Sequence, residues 1–365
     1  MKLFTCTHCG QLLYFENSQC EKCHYPLGFE PKQLQLFPLV AEADGRTYRL
    51  FGTTQPNAPT YTYCRNHADG VCNWLVPAES ATQFCTACAL NRTIPNLSEP
   101  EHRLRWWKLE IAKHRLVYSL LRMGLPVVSK FEDPEHGLQF DFLADASQDG
   151  GQKVMTGHDN GLITINIAEA DDIEREMARK SMAEVYRTLL GHFRHEVGHY
   201  YWDQLIDNTP HLTEFRALFG DEQDDYGQAL QRHYDQGAPN DWSQHFISSY
   251  ASSHPWEDWA ETWAHYLHIL DTLQTAHAFG LSVNPAAAPA ELGLQAAITE
   301  EPYEISDFSR IMQLWLPLTF TMNSLNRSMG QPDPYPFIIM PEVVDKMAFI
   351  HKVCQQAGSS AKAAR

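Results

Sequence analysis

The segment His195-Glu196-Val197-Gly198-His199 constrains this chain more than any other part of it. Two histidines four residues apart lie on one face of an α-helix and can bind the same metal ion. Glu196 is rotated by about 100° from His195 around the helix axis, so its carboxylate lies beside the metal and can accept a proton from a bound water. The motif therefore predicts a helix with a zinc site that has two imidazole ligands, one further protein ligand and an open position for water.

The residues around the motif support a helix. Apolar residues recur at helical spacing from Met182 to Tyr201, and Ser181 followed by Glu184 has the pattern of a capping box. These signals predict a helix from about 182 to 206. Gly198 is unfavourable inside a helix by about 1 kcal/mol, but a small residue allows close packing at that point. Because 18 of the 365 residues are histidine, the motif could arise by chance, and its helical context is what favours a metal site.

Length and charge limit the classes of function. A chain of 365 residues can build a large core and two or three domains. The net charge of -17 argues against a general nucleic-acid surface and against an anionic membrane face. No apolar run approaches the length of a transmembrane helix, and the first residues lack the apolar stretch of a secretory signal. We expect a cytoplasmic protein that does not bind membranes, with nucleic acid disfavoured as a partner.

Cysteines dominate the first part of the chain. Eight of the nine precede residue 90, and in a cytosolic protein such clustering indicates metal sites rather than disulfides. Cys6-x2-Cys9 and Cys20-x2-Cys23 predict a zinc ribbon over residues 1–30 with a four-thiolate structural zinc. So short a segment has little hydrophobic core, so metal binding must supply most of its folding free energy. Iron also fits this ligand set.

A second four-cysteine module is predicted over residues 31–97. Its ligands are Cys64, Cys72, Cys85 and Cys88, with His67 as an alternative to one of the first two. We expect the nearby aromatic residues Tyr61, Tyr63, Trp74 and Phe84 to pack around this site. Four filled positions leave no opening for water, so both cysteine sites are interpreted as structural.

The remaining residues, 98–355, are predicted to form one domain, followed by a flexible tail over 356–365. Periodicity predicts helices over 99–123, from Pro255, over 306–329 and over 343–353, and strands over 139–143, 153–156 and 162–167. The strand over 162–167 precedes the motif helix. As an exposed edge strand it would hold an extended peptide by backbone hydrogen bonds.

The helix that begins at Pro255 offers candidates for the third metal ligand. Glu257 and Glu261 are four residues apart and share a face. One would bind the metal, and the other would accept a hydrogen bond from the far nitrogen of a ligand imidazole. His254 and His265 remain alternatives for the ligand.

The chain resembles the gluzincins, zinc peptidases that combine HExxH with a glutamate ligand. The segment from Tyr250 to Glu261, with its Tyr-x6-Glu-x3-Glu pattern, is similar to the catalytic domain of anthrax lethal factor. This resemblance implies an α+β, zincin-like fold, with Glu257 as the zinc ligand, Tyr250 stabilising the oxyanion and Glu261 supporting a ligand histidine. The gap between His199 and Glu257 is longer than in most gluzincins.

The whole chain also resembles a bacterial family of zinc-ribbon metallopeptidases of unassigned substrate. Cys64 to Cys88, Asn91 to Pro95 and His254 to His265 carry that match. Together these features predict a zinc-dependent hydrolase of peptide-type amide bonds, with one catalytic and two structural zinc ions and Glu196 as general base. The alternatives are an inert adaptor that binds protein or nucleic acid, a nucleic-acid-associated protease, and an amidase that cuts one modified peptide. The oligomeric state stays open.

Overall fold

The structure is a computed structural model that describes residues 2–55, 57–145, 153–181, 188–287 and 289–363. It has a mixed α+β composition and divides into two compact units. The first unit comprises Met1–Arg122 and Pro126–Glu174, and the second comprises Met123–Leu125 and Arg175–Arg365.

The first unit begins with short strands and loops that carry the cysteines. A hairpin of β1 and β2 precedes an antiparallel sheet in which β3 to β7 are neighbours in chain order. The strands are β1 Phe4–Thr5, β2 Leu12–Leu13, β3 Leu27–Glu30, β4 Gln35–Ala41, β5 Tyr48–Leu50, β6 Tyr61–Tyr63 and β7 Leu75–Pro77. Buried aromatic rings of Phe15, Phe29 and Trp74 contact one another beside this sheet.

The first unit also contains a long helix and a second sheet. Helix α1 spans Pro100–Met123, close to the predicted 99–123. The second sheet has the strand order β10-β11-β9-β8. Its strands are β8 Asn91–Thr93, β9 Gln139–Leu143, β10 Gly157–Asp159 and β11 Leu162–Asn166. β9 pairs in parallel with β8 and β11, and β10 pairs antiparallel with β11.

Two sequence predictions about this sheet are wrong. Residues 153–156 are not a strand, since the strand at this place is β10, and its turn into β11 includes Asn160 at φ 46°. β11 is not an edge strand, because β9 and β10 pair with it on both sides. Its backbone groups are therefore already used within the sheet and cannot hold a peptide as proposed.

The second unit is mainly helical. α2 Asp172–Ser181 begins in the first unit and continues into the second at Arg175. The other helices of the second unit are α3 Leu189–Leu205, α4 Leu212–Phe219, α5 Tyr226–Gln236, α6 Trp242–His245, α7 Pro255–Ala278, α8 Phe308–Ser328 and α9 Pro341–Ala363. A hairpin of β12 Ser282–Val283 and β13 Ala296–Ala297 follows α7.

Short 3-10 helices occur in both units. They span Arg65–Asp69, Cys88–Leu90, Ile167–Ala170, Tyr250–Ser253, Ala290–Leu292 and Pro302–Glu304.

The motif helix α3 begins later than the sequence predicts. Thr188 has extended backbone angles, and its side chain accepts a hydrogen bond from the Gly191 amide, so Thr188 is the N-cap. Ser181 is the last described residue of α2, and residues 182–187, which include Glu184, lie outside the described residues. One continuous helix from 182 to 206 is nevertheless wrong, because Thr188 has the extended backbone angles of an N-cap.

Helices α3 and α7 pack closely, and this contact brings the two halves of the candidate site together. The Trp259 indole donates a hydrogen bond to the Gly198 carbonyl at 2.8 Å. A Cβ at Gly198 would lie 3.0 Å from the Ala260 Cα and 3.2 Å from the Trp263 ring. The small residue that the sequence suggested for close packing thus lets the two helices approach.

The last part of the chain braces a proline-rich loop. Pro317 lies inside α8 without ending it, and Asn323 and Asn326 donate hydrogen bonds to the carbonyls of Tyr335 and Pro332 at 2.8 Å. α9 continues to Ala363, ten residues beyond the predicted end at 353 and across most of the segment predicted as tail. Among the helices of the described residues, none is both long and apolar enough to cross a lipid bilayer.

Candidate metal centres

His195 and His199 on α3 and Glu257 on α7 form one group. The two imidazole Nε2 atoms are 3.2 Å apart. Glu257 Oε2 lies 3.0 Å from Nε2 of His195 and 3.5 Å from Nε2 of His199. Glu257 is 1% exposed, and its place in the first turn of α7 follows from Pro255, which occupies the first helical position after the N-cap His254.

These separations fit zinc. Two ligands at about 2.0–2.1 Å from a tetrahedral zinc are about 3.3–3.4 Å apart, and the three measured separations fall around this value. A shared cation would satisfy three electron-donating atoms that face one another in a buried place. The three residues therefore fit a metal with two imidazoles and one carboxylate as ligands.

Glu261 and Ser248 support the first histidine. The Nδ1 of His195 lies 2.7 Å from Glu261 Oε1, and the other oxygen of Glu261 accepts a hydrogen bond from the Ser248 hydroxyl at 2.7 Å. Because a carboxylate only accepts, Nδ1 carries a proton, and Nε2 is the nitrogen that is available to a metal. Glu261 thus lies where the sequence placed the outer carboxylate, and Ser248 is an addition that the sequence did not suggest.

Tyr226 is a second residue that sequence reasoning missed. Its hydroxyl donates a hydrogen bond to Glu257 Oε1 at 2.6 Å, so Oε2 is the oxygen directed at the histidines. Tyr226 is the first residue of α5, in the acidic segment that lengthens the gap between His199 and Glu257. The long gap therefore supplies a hydrogen bond to the third ligand. No spacing rule relates Tyr226 to the motif, so local sequence gave no signal for it.

The charges of the group reinforce one another. Burial raises the pKa of Glu257, but His199 and His195 outweigh it and hold the pKa well below the usual range. Burial likewise lowers the pKa of His195, and Glu257 and Glu261 outweigh it and hold this pKa well above 6.5. Protons therefore compete with a metal for these ligands, so metal affinity rises with pH.

Glu196 follows His195 directly in α3, and the Tyr250 ring lies near that of His195. Glu196 is buried in α3 between the two histidines in sequence. The Tyr250 ring centroid is 6.0 Å from that of His195. Burial and the neighbouring Glu257 raise the pKa of Tyr250, so its hydroxyl keeps its proton and can donate a hydrogen bond at neutral pH.

The alternative ligands and Asp258 are engaged elsewhere. His254 accepts a hydrogen bond from the Trp256 amide, and its other ring nitrogen is 3.0 Å from the Asp224 carbonyl. His265 lies 2.8 Å from the Tyr335 hydroxyl. Asp258 forms a buried ion pair with Lys346 at 2.6 Å. Among the described residues, the group that includes His195 and His199 therefore has Glu257 as its third member rather than His254, His265 or Asp258.

The first four-cysteine group has the geometry of a tetrahedral thiolate site. Cys6 and Cys23 have sulfurs 3.7 Å apart, and those of Cys9 and Cys20 are 3.6 Å apart. Four sulfurs at about 2.3 Å from a tetrahedral zinc are separated by about 3.8 Å. All four cysteines are free of disulfides, so the spacing fits one metal ion.

The second group consists of Cys64, Cys72, Cys85 and Cys88, all buried. Sulfurs of Cys72 and Cys85 are 3.7 Å apart, again the separation expected around zinc. His67 is not part of this group. Its Nδ1 lies 2.8 Å from the Cys72 carbonyl, and its ring stacks on Tyr63 at 3.8 Å. The alternative of a histidine ligand is therefore wrong.

Helix α1 adds buried polar residues next to the second group. Nε2 of His114 is 3.7 Å and Glu110 Oε2 is 3.8 Å from the Cys88 sulfur. Lys113, fully buried, pairs with Glu110 at 2.9 Å. Sequence reasoning assigned α1 only an apolar face and missed these contacts. Of the expected aromatic neighbours, Trp74 is fully buried, and its backbone amide donates a hydrogen bond to the Cys72 sulfur. Phe84, in contrast, is 37% exposed.

Comparisons with known proteins agree with this arrangement. Residues 102–353 match the model of a family described as "Putative zinc-binding metallo-peptidase", and residues 3–99 match a zinc-ribbon domain. An uncharacterized protein of Mycobacterium tuberculosis and one of Mycobacterium bovis are each 42% identical to the chain over 357 residues, which cover 98% of this chain and 96% of each relative. No solved structure matches.

Proposed function

Because this chain belongs to the family of zinc-binding metallo-peptidases, we propose that it is a zinc-dependent hydrolase of peptide or peptide-like amide bonds with a zincin-like fold of the gluzincin type. One observation carries the proposal. Nε2 of His195, Nε2 of His199 and Oε2 of Glu257 face one another at 3.0–3.5 Å, and a glutamate lies between the two histidines in sequence. Two further observations support it, the outer hydrogen bonds of Glu261 and Tyr226.

Each residue has a defined part in the reaction. Zinc held by His195, His199 and Glu257 would act as a Lewis acid and lower the pKa of a water to about 7. Glu196 takes the proton of the attacking water and later transfers it to the leaving amine. The protonated hydroxyl of Tyr250 donates a hydrogen bond to the carbonyl oxygen as negative charge develops there.

The outer residues position the ligands. Glu261 fixes the tautomer and ring orientation of His195, and Ser248 in turn holds Glu261. Tyr226 donates a hydrogen bond to Oε1 of Glu257, so Oε2 is the oxygen that would bind the metal. Binding through one oxygen would leave a position for water, which a catalytic zinc requires.

The two cysteine groups are structural in this proposal. Four thiolates fill the coordination of each zinc, so no position is open for substrate. Both groups lie in the first unit, among short strands of two to seven residues. Zinc ions held there would stabilise this unit, because short strands alone bury little apolar surface.

The test is peptide cleavage by the full-length, zinc-loaded chain, monitored by mass spectrometry on a mixture of denatured protein fragments. We expect Glu196→Gln to lose about 100- to 10,000-fold in rate while its zinc content stays unchanged. Glu291→Gln, an exposed glutamate far from the ligands in sequence, serves as the matched control. Cleavage by Glu196→Gln at the wild-type rate would refute the mechanism. Absence of cleavage in the wild type with all sites loaded would favour the inert adaptor.

A further inference from the structure

A cavity of about 560 Å³ shares a wall with the candidate metal centre. His195, Tyr250 and Glu261 line it, so whatever occupies the cavity lies next to the reacting bond. Its volume is within the range of about 300–1,000 Å³ that is typical of ligand pockets. α3, α6, α7 and the loop before α9 all contribute to it.

The lining of this cavity combines small, polar and large apolar residues. Gly191 on α3 and Ala264 on α7 are its small residues. Hydroxyl and amide side chains, among them Ser243, Gln244 and Ser249, line part of it. Its large apolar lining residues are Trp242, Phe246, Ile247, Phe337, Ile338 and Met340.

The cavity offers little charge. Among the described residues that line it there is no lysine or arginine, and the carboxylate of Glu261 is already bonded to His195 and Ser248. Burial lowers the pKa of His265 to about 4, and burial together with Arg194 holds the pKa of His268 well below 6.5. Both imidazoles are therefore neutral at pH 7, so a charged group placed against His265 or His268 would lack a charged partner there.

The loop that closes the cavity is held in place. Asn323 exchanges two hydrogen bonds with the backbone of Tyr335, at 2.8 and 3.2 Å. The Tyr335 hydroxyl bonds to His265, and the Phe337 ring contacts the His265 ring edge-on with centroids 4.3 Å apart. These contacts fix the loop at Tyr335 and Phe337 before any ligand binds.

We propose that this cavity is the specificity pocket of the enzyme and binds a large apolar side chain, aromatic or long aliphatic, of a peptide substrate beside the bond that is cut. This proposal rests on the proposed hydrolase function. It adds that acidic and basic side chains are excluded at this position. An apolar side chain is favoured because its transfer from water into the cavity is not opposed by loss of charge hydration.

The first experiment compares binding, so that it does not depend on catalysis. Glu196→Gln protein, zinc-loaded, is titrated by calorimetry with blocked pentapeptides that differ only at the central residue, Phe, Leu, Asp or Lys. We expect Phe and Leu peptides to bind about 10- to 100-fold more tightly than the charged ones, the effect of burying one large apolar side chain. Equal binding of all four peptides, or binding of none, would overturn the assignment of this cavity as a pocket for a large apolar side chain.

Two variants and one control test whether the apolar side chain binds in this cavity. Ile338→Lys places a cation at the rim, where Ile338 is 78% exposed, and Met329→Lys is the control, because Met329 is 76% exposed and does not line the cavity. Ile338→Lys should reduce the preference for Phe over Asp at least tenfold, whereas Met329→Lys should leave it unchanged. Ala264→Leu should reduce binding of Phe more than that of Leu. Equal effects of the two lysine variants would refute the assignment.

Mapping cleavage sites with the wild type separates this inference from the function on which it rests. Cleavage with Phe, Leu, Trp or Met enriched at one position beside the cut supports both. Cleavage without such enrichment retains the hydrolase and refutes the pocket. If selective binding is seen but no cleavage occurs, the pocket stands as a peptide-binding site and the proposed hydrolase function fails.

Discussion

The hydrogen bond between Tyr226 and Glu257 gives a quantitative prediction about metal affinity. Tyr226→Phe removes one donor to the ligand carboxylate, a bond of 2.6 Å, and leaves the ring in place. A hydrogen bond to a charged group contributes about 1.5–3 kcal/mol, and loss of an outer partner of a ligand typically lowers metal affinity about 10- to 100-fold. The two estimates agree, since 1.4 kcal/mol corresponds to about tenfold.

Exposure places the expected effect at the lower end of that range. Tyr226 is 38% exposed, so water can partly replace the lost donor at Oε1. We therefore expect about a tenfold weaker affinity for the zinc ion held by His195, His199 and Glu257. The assay is competition with a coloured zinc chelator. His195→Ala should not bind this zinc ion, so the comparison with that variant shows which of the bound ions is being measured.

Tyr234→Phe is the matched control. Tyr234 lies on the same helix as Tyr226 and is 65% exposed, so removing its hydroxyl should leave zinc affinity within about twofold of the wild type. If Tyr226→Phe also stays within twofold, or if both variants lose the same affinity, the outer role assigned to Tyr226 is refuted.

Two further predictions concern stability. Gly198→Ala should lower the free energy of unfolding by about 1–2 kcal/mol, because the new Cβ meets the Ala260 Cα at 3.0 Å. The control is Gly227→Ala at an exposed position, where the new Cβ meets nothing closer than 3.6 Å, and this variant should be neutral or stabilising by up to about 1 kcal/mol. Urea unfolding that ranks the two variants in the opposite order would contradict this prediction. Folding lowers the pKa of His265 to about 4, against 6.5 in the unfolded chain. Between these pH values the unfolded chain binds a proton that the folded chain does not. The contribution of His265 to the free energy of unfolding is therefore fully present above pH 6.5 and is smaller by about 2 kcal/mol at pH 5. His265→Gln should flatten that dependence in urea unfolding at pH 7 and 5, and an unchanged slope would contradict it.

Local sequence signals predicted what depends on local geometry. Pro255 followed by acidic residues marks the start of α7 correctly, because the preference for proline and acids in a first turn arises within that turn. The helical repeat of four residues likewise placed His195 beside His199, and Glu257 on the same face as Glu261. The Cys-x2-Cys pairs indicated which sulfurs lie together in the first group.

Contacts between distant segments were not predictable in the same way. Tyr226 meets Glu257 across 31 positions, and His114 meets Cys88 across 26. Neither contact follows from a spacing rule. The place of β11 inside its sheet depends on pairing with β9, about 20 residues earlier. His67 was a reasonable ligand by spacing, but stacking on Tyr63 determines where its ring lies.

We infer that His195, His199 and Glu257 hold a zinc ion in addition to those of the two cysteine groups. Elemental analysis of zinc per chain tests this on the wild type, His195→Ala and Glu257→Ala. We expect three zinc ions per chain in the wild type, one for each of these three groups, and two in each variant, with both variants still folded. Two zinc ions in all three proteins would contradict it, because the histidine and glutamate group would then hold none.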